Sequence, residues 1–186
     1  MSKMKRILGV SVIAALGCFA IILFAGTRNY TTVIDEAKII SYENADEVIN
    51  DSVLIVRAKK IDETPKAYPI EHSLLDSFTL STVKVEEVFK NSNDPTIVVG
   101  SEIDILESQW TDEKTKTVHH TEGYLKMETG REYVLLLGYN PSVDNYYPTG
   151  LLYGKIPVND GEKLFLADGY DQVKETVETL RNKYID

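Results

Sequence analysis

The sequence predicts a mainly β domain, a small closed Greek-key barrel with one short helix before it and another helix after it. Five or more short segments are rich in β-branched and aromatic residues, and Gly, Pro, Asn and Asp separate them. Beyond residue 40, two stretches show helical spacing of apolar residues, and they lie at the two ends of this region. This order favours a barrel that the helices plug or flank, with an α+β open sheet as the main alternative.

The longest strand signal is Phe78–Asn91, which contains neither Gly nor Pro. Its apolar residues occupy even positions up to Leu80, whereas Val83, Val85 and then Phe89 favour odd positions. In a flat strand this would turn the apolar face over. We therefore expect a β-bulge at Ser81–Val83 that lets both halves of the strand face one interior.

Three other segments have clear strand patterns. The segment Ser52–Ile61 is apolar on both parities up to Ala58, which is expected of a strand that is buried on both faces. The segment Ile103–Trp110 alternates, so Ile103 and Ile105 are predicted to point inward, followed by Ser108 or Trp110. The remaining strong strand is Glu132–Gly138.

The ends of the predicted domain carry turn and helix signals. We expect a helix over Ser41–Asn50 with Ser41 as its N-cap, and a final helix that begins at Asp168 or Asp171. The tight-turn signal Asn159–Gly161 predicts a hairpin between Ile156–Val158 and Lys163–Leu166. The connection Asp62–Asp76 contains Pro and is predicted as a loop or an irregular hairpin arm.

The N-terminal segment predicts a membrane anchor. Three basic residues precede Ile7–Ala25, an uncharged run that is long enough to cross a hydrocarbon core of about 30 Å. The basic flank places the N-terminus in the cytoplasm and the rest outside. Residues 1–26 are therefore predicted as a signal anchor, 27–40 as a polar tether with room for a short strand or helical turn, and 41–186 as the barrel domain. Cleavage, including lipoprotein processing at Cys18, is the alternative.

Charge and cysteine content exclude several classes of protein. The 186-residue chain has a formal net charge of −9, and all 29 acidic residues follow Gly26. Such a surface repels phosphate backbones, so we expect no nucleic-acid partner. Because Cys18 is the one cysteine, the chain has neither an intramolecular disulfide nor a thiolate metal cluster.

The strand pattern resembles that of bacterial members of the netrin/TIMP-like OB superfamily. The resemblance rests on VLIVRAKK (Val53–Lys60), TVKVEEVFK (Thr82–Lys90), GSEIDI (Gly100–Ile105) and METGREYVLLL (Met127–Leu137). It implies an OB-like barrel. The disulfides of the eukaryotic relatives are missing, and so is the N-terminal cysteine with which tissue inhibitors of metalloproteinases hold catalytic zinc. The resemblance therefore does not extend to protease inhibition by that mechanism.

Aromatic residues in the predicted loops are the first candidate binding site. Tyrosine-rich loops provide contact area at low entropic cost and are common at recognition surfaces. The alternative is that these rings cap the barrel ends as part of the core. The candidate ligand-binding residues are Trp110, Tyr139, Tyr146, Tyr147 and Tyr153.

A second candidate is a metal site. His119 and His120 are adjacent, so on a strand their side chains point to opposite faces and cannot easily share one metal ion. His120 and Glu122 lie two residues apart and could, with Asp112 or Glu113 as a third ligand. An exposed polar strand is the alternative interpretation. No nucleotide, dinucleotide or metalloprotease motif is present, so no cofactor is predicted.

These observations together predict a membrane-anchored, extracytoplasmic, non-enzymatic domain. Its expected partner is a protein, a peptide or an envelope component, and its expected contact with the lipid bilayer is Ile7–Ala25. The alternative function is a metal-dependent envelope hydrolase that uses His119, His120 and nearby acids.

Overall fold

The computed structural model describes residues 30–37, 40–67, 77–159, 161–166 and 169–185. The predicted anchor Ile7–Ala25 and Cys18 lie outside the described residues, as does Asp168, one of the two predicted helix starts. Within the part of the chain that the structure describes, no helix has the length and apolar character needed to span a membrane.

The described residues form nine strands and two helices. The strands are β1 (Thr31–Asp35), β2 (Leu54–Ala67), β3 (Ser77–Asn91), β4 (Glu102–Glu107), β5 (Gln109–Asp112), β6 (Thr117–Thr121), β7 (Glu132–Asn140), β8 (Asn145–Pro148) and β9 (Lys155–Pro157). The helices are α1 (Ala45–Asp51) and α2 (Asp171–Tyr184).

Five strands close into a barrel in the order β2-β3-β4-β8-β7, and β7 pairs again with β2. All neighbouring pairs are antiparallel except β4 and β8, which run parallel and meet at Ile105 and Tyr146. Strand β9 pairs with the first half of β7, beside β8 on the same edge. The predicted mainly β, closed barrel with two helices is therefore confirmed.

Strands β2 and β7 are buried on both faces because they separate two cores. Leu54 and Leu135 point into the barrel, whereas Ile55 and Leu136 point outward into a second apolar cluster. Helices α1 and α2 pack on this outer cluster, so they flank the barrel and do not plug it. The apolar runs on both parities of these strands follow from this arrangement.

The β-bulge predicted at Ser81–Val83 of β3 is wrong, because the irregularity at this point lies in the partner strand β2. Odd-numbered residues are buried along the whole inner stretch, namely Thr79, Ser81, Val83 and Val85. The extra residue opposite Thr82 and Val83 is Ile61, in the partner strand β2. The apolar residues change parity because the barrel interior becomes polar toward this end, so small hydroxyl side chains replace valines at inward positions.

A separate three-stranded sheet has the strand order β1-β6-β5. It contains the candidate residues Trp110, His119 and His120. Strand β1 comes from the predicted tether and pairs in parallel with β6, from Thr31 opposite Thr117 to Asp35 opposite Thr121. Strands β5 and β6 form a hairpin over 109–121.

Two local predictions at the ends of the domain are wrong. Lys155–Pro157 pairs with β7, not with Lys163–Leu166, and Phe165 bridges to Tyr124 instead. The sheet edge of β7 therefore takes the partner that the turn signal assigned to a hairpin. Helix α1 begins three residues later than predicted, because its N-cap is Asn44 and not Ser41. The Asn44 side chain accepts from the Glu47 amide at 3.1 Å.

Candidate functional site

The two ends of the barrel interior differ in chemistry. The inward positions of β4 are Ile103, Ile105 and then Glu107, and those of β2 end with Ala58 and Lys60. Glu107 and Lys60 are completely buried. A buried charge is expensive unless it is paired and hydrogen-bonded, so the partners of these two side chains decide whether the arrangement is stable.

Both carboxylate oxygens of Glu107 are fully engaged. One accepts from Lys60 Nζ at 3.2 Å and from Ser81 Oγ. The other accepts from the hydroxyl of Tyr124 at 2.8 Å and from the backbone amide of Met127 at 2.7 Å. Four donors thus offset the loss of hydration of this carboxylate.

Lys60 is equally well satisfied. Besides Glu107, its ammonium donates to Glu63 Oε2 at 2.5 Å and to the backbone carbonyl of Met127 at 2.8 Å. An ammonium has three donors, and all three are used. Lys60, Glu107 and their partners form one connected network, called here the buried ion-pair network, which closes this end of the barrel.

The buried ion-pair network fixes the segment Leu125–Arg131 that runs over the barrel end. Met127 is held through both its amide and its carbonyl. Two backbone hydrogen bonds flank the same point, from the Gly130 amide to the Lys60 carbonyl at 2.8 Å and from the Lys60 amide to the Arg131 carbonyl at 3.0 Å. The segment is therefore positioned by strand β2 and not only by its own turn.

A second buried lysine lies behind this segment. Lys155 of β9 donates to the Leu125 carbonyl, and its ammonium is 4.8 Å from the centre of the Tyr124 ring. Burial lowers the pKa of Lys155 to about 8, against the opposing effect of the Glu107 and Glu162 charges. Burial and the neighbouring Glu107 raise the pKa of Tyr124 well above its ordinary value, so the phenol stays a hydrogen-bond donor.

A cleft of about 730 Å³ opens on the outer side of the segment Leu125–Arg131. This volume is in the range of small-molecule sites. Its walls carry charges of both signs together with a few apolar and hydroxyl groups. The lining residues are Glu63, Gln109, Leu125, Lys126, Met127, Glu128, Thr129, Arg131, Gly161, Glu162 and Lys163.

The acidic side chains of the cleft are engaged by the protein itself. Burial would raise the pKa of Glu63, but hydrogen bonds from Lys126 and Lys60 outweigh it and hold this pKa below its ordinary value. Glu128 pairs with Arg131 Nε at 3.3 Å. Glu63 is therefore a carboxylate that forms ion pairs with two lysines.

Glu162 is held differently. One of its carboxylate oxygens accepts from the Tyr133 hydroxyl at 2.5 Å, and that hydroxyl in turn accepts from the Glu128 amide at 2.8 Å. Its other oxygen is buried and has no hydrogen-bond partner within the described residues. Burial and the hydrogen bond to Glu162 raise the pKa of Tyr133.

The structure distributes the predicted aromatic residues over four places. Tyr139 and Tyr146 lie at the opposite end of the barrel, with ring centres 5.2 Å apart, and Tyr146 points into the barrel core. Tyr153 is buried in the outer cluster, where it meets Tyr42 edge-on. Tyr147 is 41% exposed on the barrel wall, and Trp110 lies on the small sheet.

The predicted histidine candidates also have separate partners. His119 stacks on Trp110 at 4.1 Å, and its Nδ1 is 2.8 Å from Asp35 Oδ2. His120 points the other way and is buried, with Nδ1 2.9 Å from the Tyr124 carbonyl. Glu122 accepts from the Ala37 amide at 2.5 Å. Among the described residues, no three potential His, Cys, Asp or Glu ligands come together as a metal site.

Sequence reasoning missed the buried ion-pair network, although a signal for it existed. Alternation from Ile103 and Ile105 leads directly to Glu107, and alternation from Val56 and Ala58 leads to Lys60. Two opposite charges, each at the next inward position of a barrel strand, indicate a buried pair across the barrel interior. The prediction instead placed Ser108 or Trp110 inward after Ile105.

Comparison with known proteins adds no assignment, since the chain matches no protein-family model and no curated protein sequence.

Proposed function

We propose that this protein is a non-enzymatic binding domain whose ligand, a short peptide or a peptide-like envelope component, occupies the cleft beside the segment Leu125–Arg131. The observation that carries the proposal is the construction of this cleft. One wall is held in place by the buried ion-pair network, which contributes to shape more clearly than to stability. Such preorganisation reduces the cost of ordering the site when a ligand binds.

The strand order supports an OB-like assignment of the barrel. Taken along the barrel strands alone, the sequence of neighbours is first, second, third, fifth and fourth, and the third and fifth strands meet in parallel. OB barrels are five-stranded Greek-key barrels that bind ligands on one face and in adjoining loops. A place in the netrin/TIMP-like superfamily is part of the proposal and rests on the strand pattern alone.

The proposed location is the outer side of a membrane, with the chain anchored by Ile7–Ala25. Its support is the uncharged run and the basic residues before it. A protease added to intact cells should then remove the barrel domain from the anchor. Protection of the domain until the cells are lysed would contradict this location.

The composition of the cleft supports a binding role over catalysis. Among the described residues that line it there is no histidine or cysteine, and Glu63 and Glu128 are both ion-paired. The hydrolase alternative gains no support from His119 and His120. Their side chains point to opposite sides of β6, with Nδ1 of one at Asp35 and Nδ1 of the other at the Tyr124 carbonyl. Among the described residues, no group of three potential metal ligands forms around either ring.

Affinity selection tests the binding role. Full-length protein in detergent is immobilised and exposed to a pool of random tripeptides, and retained peptides are identified by mass spectrometry. Thr129→Trp places a large ring in the cleft at an exposed position and should abolish retention.

The matched control is Thr96→Trp, which places the same ring in a smaller hollow of about 290 Å³ at the opposite end of the barrel, beside Tyr146. We expect this variant to retain peptides as the unchanged chain does. Loss of retention in Thr96→Trp with normal retention in Thr129→Trp would place the site at the tyrosine-rich end and overturn the proposal.

A further inference from the structure

The charged groups of the cleft differ in how far the protein already satisfies them. The cleft and the buried residues behind it hold five basic and four acidic side chains, within a chain of net charge −9. These are Lys60, Lys126, Arg131, Lys155 and Lys163, and Glu63, Glu107, Glu128 and Glu162. This local excess of one basic group contrasts with the acidic surface of the rest of the molecule.

The donors that remain belong to Arg131 and Lys163. The only ion pair of Arg131 within the described residues is the one to Glu128, at 3.3 Å, and the two side chains are 47% and 64% exposed. An exposed pair of this kind has little net stability and is easily exchanged. Lys163 is exposed and makes no side-chain hydrogen bond or ion pair within the described part of the chain.

The backbone of Arg131 is fixed even though its side chain is exposed. Its carbonyl accepts from the Lys60 amide at 3.0 Å, and its own amide donates to the Glu128 carbonyl at 3.1 Å. The next residue, Glu132, begins β7 and pairs with Lys59 of β2. Arg131 therefore lines the cleft from a fixed backbone, which reduces the conformational freedom that an oxyanion receptor loses on binding.

The acidic groups leave the two cations accessible. Glu63 is neutralised by Lys60 and Lys126. Glu162 makes no ion pair with Arg131 or Lys163 within the described residues: one of its oxygens accepts from Tyr133, and the other is buried without a hydrogen-bond partner. Arginine presents a planar fork that matches a carboxylate in a bidentate way, and lysine adds a second, movable charge. Capture of a terminal carboxylate is an established mode of peptide recognition.

We propose that the cleft recognises its ligand by a carboxylate, the C-terminal carboxylate of a short peptide, with Arg131 as the main contact and Lys163 as the second. This inference rests on the proposed binding function and names the chemistry that the ligand must carry. A phosphate could offer the same oxyanion to Arg131, so the experiment separates the two sources.

The test compares two pools of random tripeptides, both N-acetylated, one with a free C-terminal carboxylate and one with a C-terminal amide. Immobilised full-length protein should retain the acid pool about tenfold better, as expected for the loss of one strong charge-assisted contact. Arg131→Gln should lower retention of the acid pool about tenfold, and Lys163→Gln about threefold, since a single exposed charge contributes less. Lys114→Gln, an exposed site in the turn of the β5–β6 hairpin, makes the same change in charge and should have no effect.

Three outcomes would overturn the inference. Equal retention of the acid and amide pools would show that the carboxylate is not recognised. If Thr129→Trp still abolished retention of both pools, the cleft would remain the binding site, and only the proposed recognition of the carboxylate would be wrong. Unchanged binding by Arg131→Gln would remove the proposed receptor. Complete displacement of the acid pool when sodium phosphate replaces sodium chloride at equal ionic strength would make free phosphate the preferred anion.

Discussion

Glu107 is the side chain on which the closed end of the barrel depends. It is a completely buried carboxylate that accepts from a lysine, a serine, a tyrosine and a backbone amide. Removing its charge leaves Lys60 with Glu63 as its one acidic partner among the residues that the structure describes. Breaking a buried pair in this way is costly because the remaining charge stays desolvated.

We therefore expect Glu107→Gln to lower the free energy of unfolding by about 3 kcal/mol. Lys60→Met should have a similar effect, and the double variant should lose less than the sum of the two because the groups interact directly. Urea denaturation measures all three. Glu102→Gln, at an exposed position of the same strand, is the control and should change stability by less than about 0.5 kcal/mol. Strictly additive losses would contradict the coupling of Lys60 and Glu107.

Lys155 gives the protein a distinctive dependence on pH. Burial lowers its pKa from 10.5 to about 8, so between these values the unfolded chain binds a proton that the folded chain has released. Stability must then rise as the pH increases through this range. The burial penalty is fully present below about pH 8 and is relieved as the pH approaches 10.5.

Comparison with Lys155→Met isolates this effect. Relative to that variant, the free energy of unfolding of the unchanged chain should increase by about 2 kcal/mol between pH 8 and pH 10. The range stops at 10 because the raised pKa values of Tyr124 and Tyr133 reverse the trend once unfolded tyrosines ionise. A difference that stays constant across this range would show that Lys155 is not buried as described.

The strand junction at Gly154 shows how tightly β7, β8 and β9 are joined. The Gly154 carbonyl accepts from the Leu136 amide at 2.9 Å, and the Leu136 carbonyl accepts from the Thr149 amide at 2.9 Å. A Cβ atom at residue 154 would collide with the backbone of Thr149 and Leu136, which cannot move aside as a side chain can. Glycine is required here for close approach of backbones.

Gly154→Ala should therefore destabilise the domain by about 3 kcal/mol, the upper range for overpacking. Gly161→Ala is the comparison, since a Cβ there meets nothing within 4 Å and the cost comes from its φ of +82° alone. That cost is about 1 kcal/mol. Thermal unfolding of the two variants should rank Gly154→Ala as clearly less stable, and equal melting temperatures would argue against the close backbone contact.

The positions of the main strands were predictable because they follow from local composition. The pairing partners of the strands were less predictable. The run on both parities around Ile55 predicted burial on two faces, and the strand is buried in that way. The predicted hairpin at Asn159–Gly161 failed because an unpaired edge of β7 lies next to Lys155–Pro157. A local turn signal carries no information about a distant edge that competes for the same strand.

The candidate site was less predictable than the fold. The prediction included Tyr139 and Tyr146 because they lie in or beside aromatic-rich loops. These residues lie at one end of the barrel, whereas the large cleft lies at the other. The cleft is assembled from four separated parts of the chain, namely Glu63, Gln109, Leu125–Arg131 and Gly161–Lys163. No spacing in the sequence brings these together, because their proximity depends on barrel closure.

The molecule contains a barrel with two chemically different ends, and two helices cover one side of it. The polar end carries the buried ion-pair network, and the tyrosine-bearing end carries Tyr139 and Tyr146. The rigid wall of β2 and β7, packed on both faces, links the buried ion-pair network to the outer cluster. Rigid scaffolds of this kind commonly position binding residues on the loops that they connect. We propose that the polar end, with its cleft, is the end that binds.

Backbone amide chemical-shift mapping distinguishes binding at the two ends of the barrel. Isotope-labelled full-length protein is titrated with the N-acetylated tripeptide acid pool, and amide signals at both ends of the barrel are followed. We expect the shifts to concentrate on Leu125–Arg131 and Gly161–Lys163, with those of Asn91–Ile97 and Tyr139–Tyr147 unchanged. Shifts confined to the tyrosine-bearing end, with the amides of the cleft unmoved, would contradict the account.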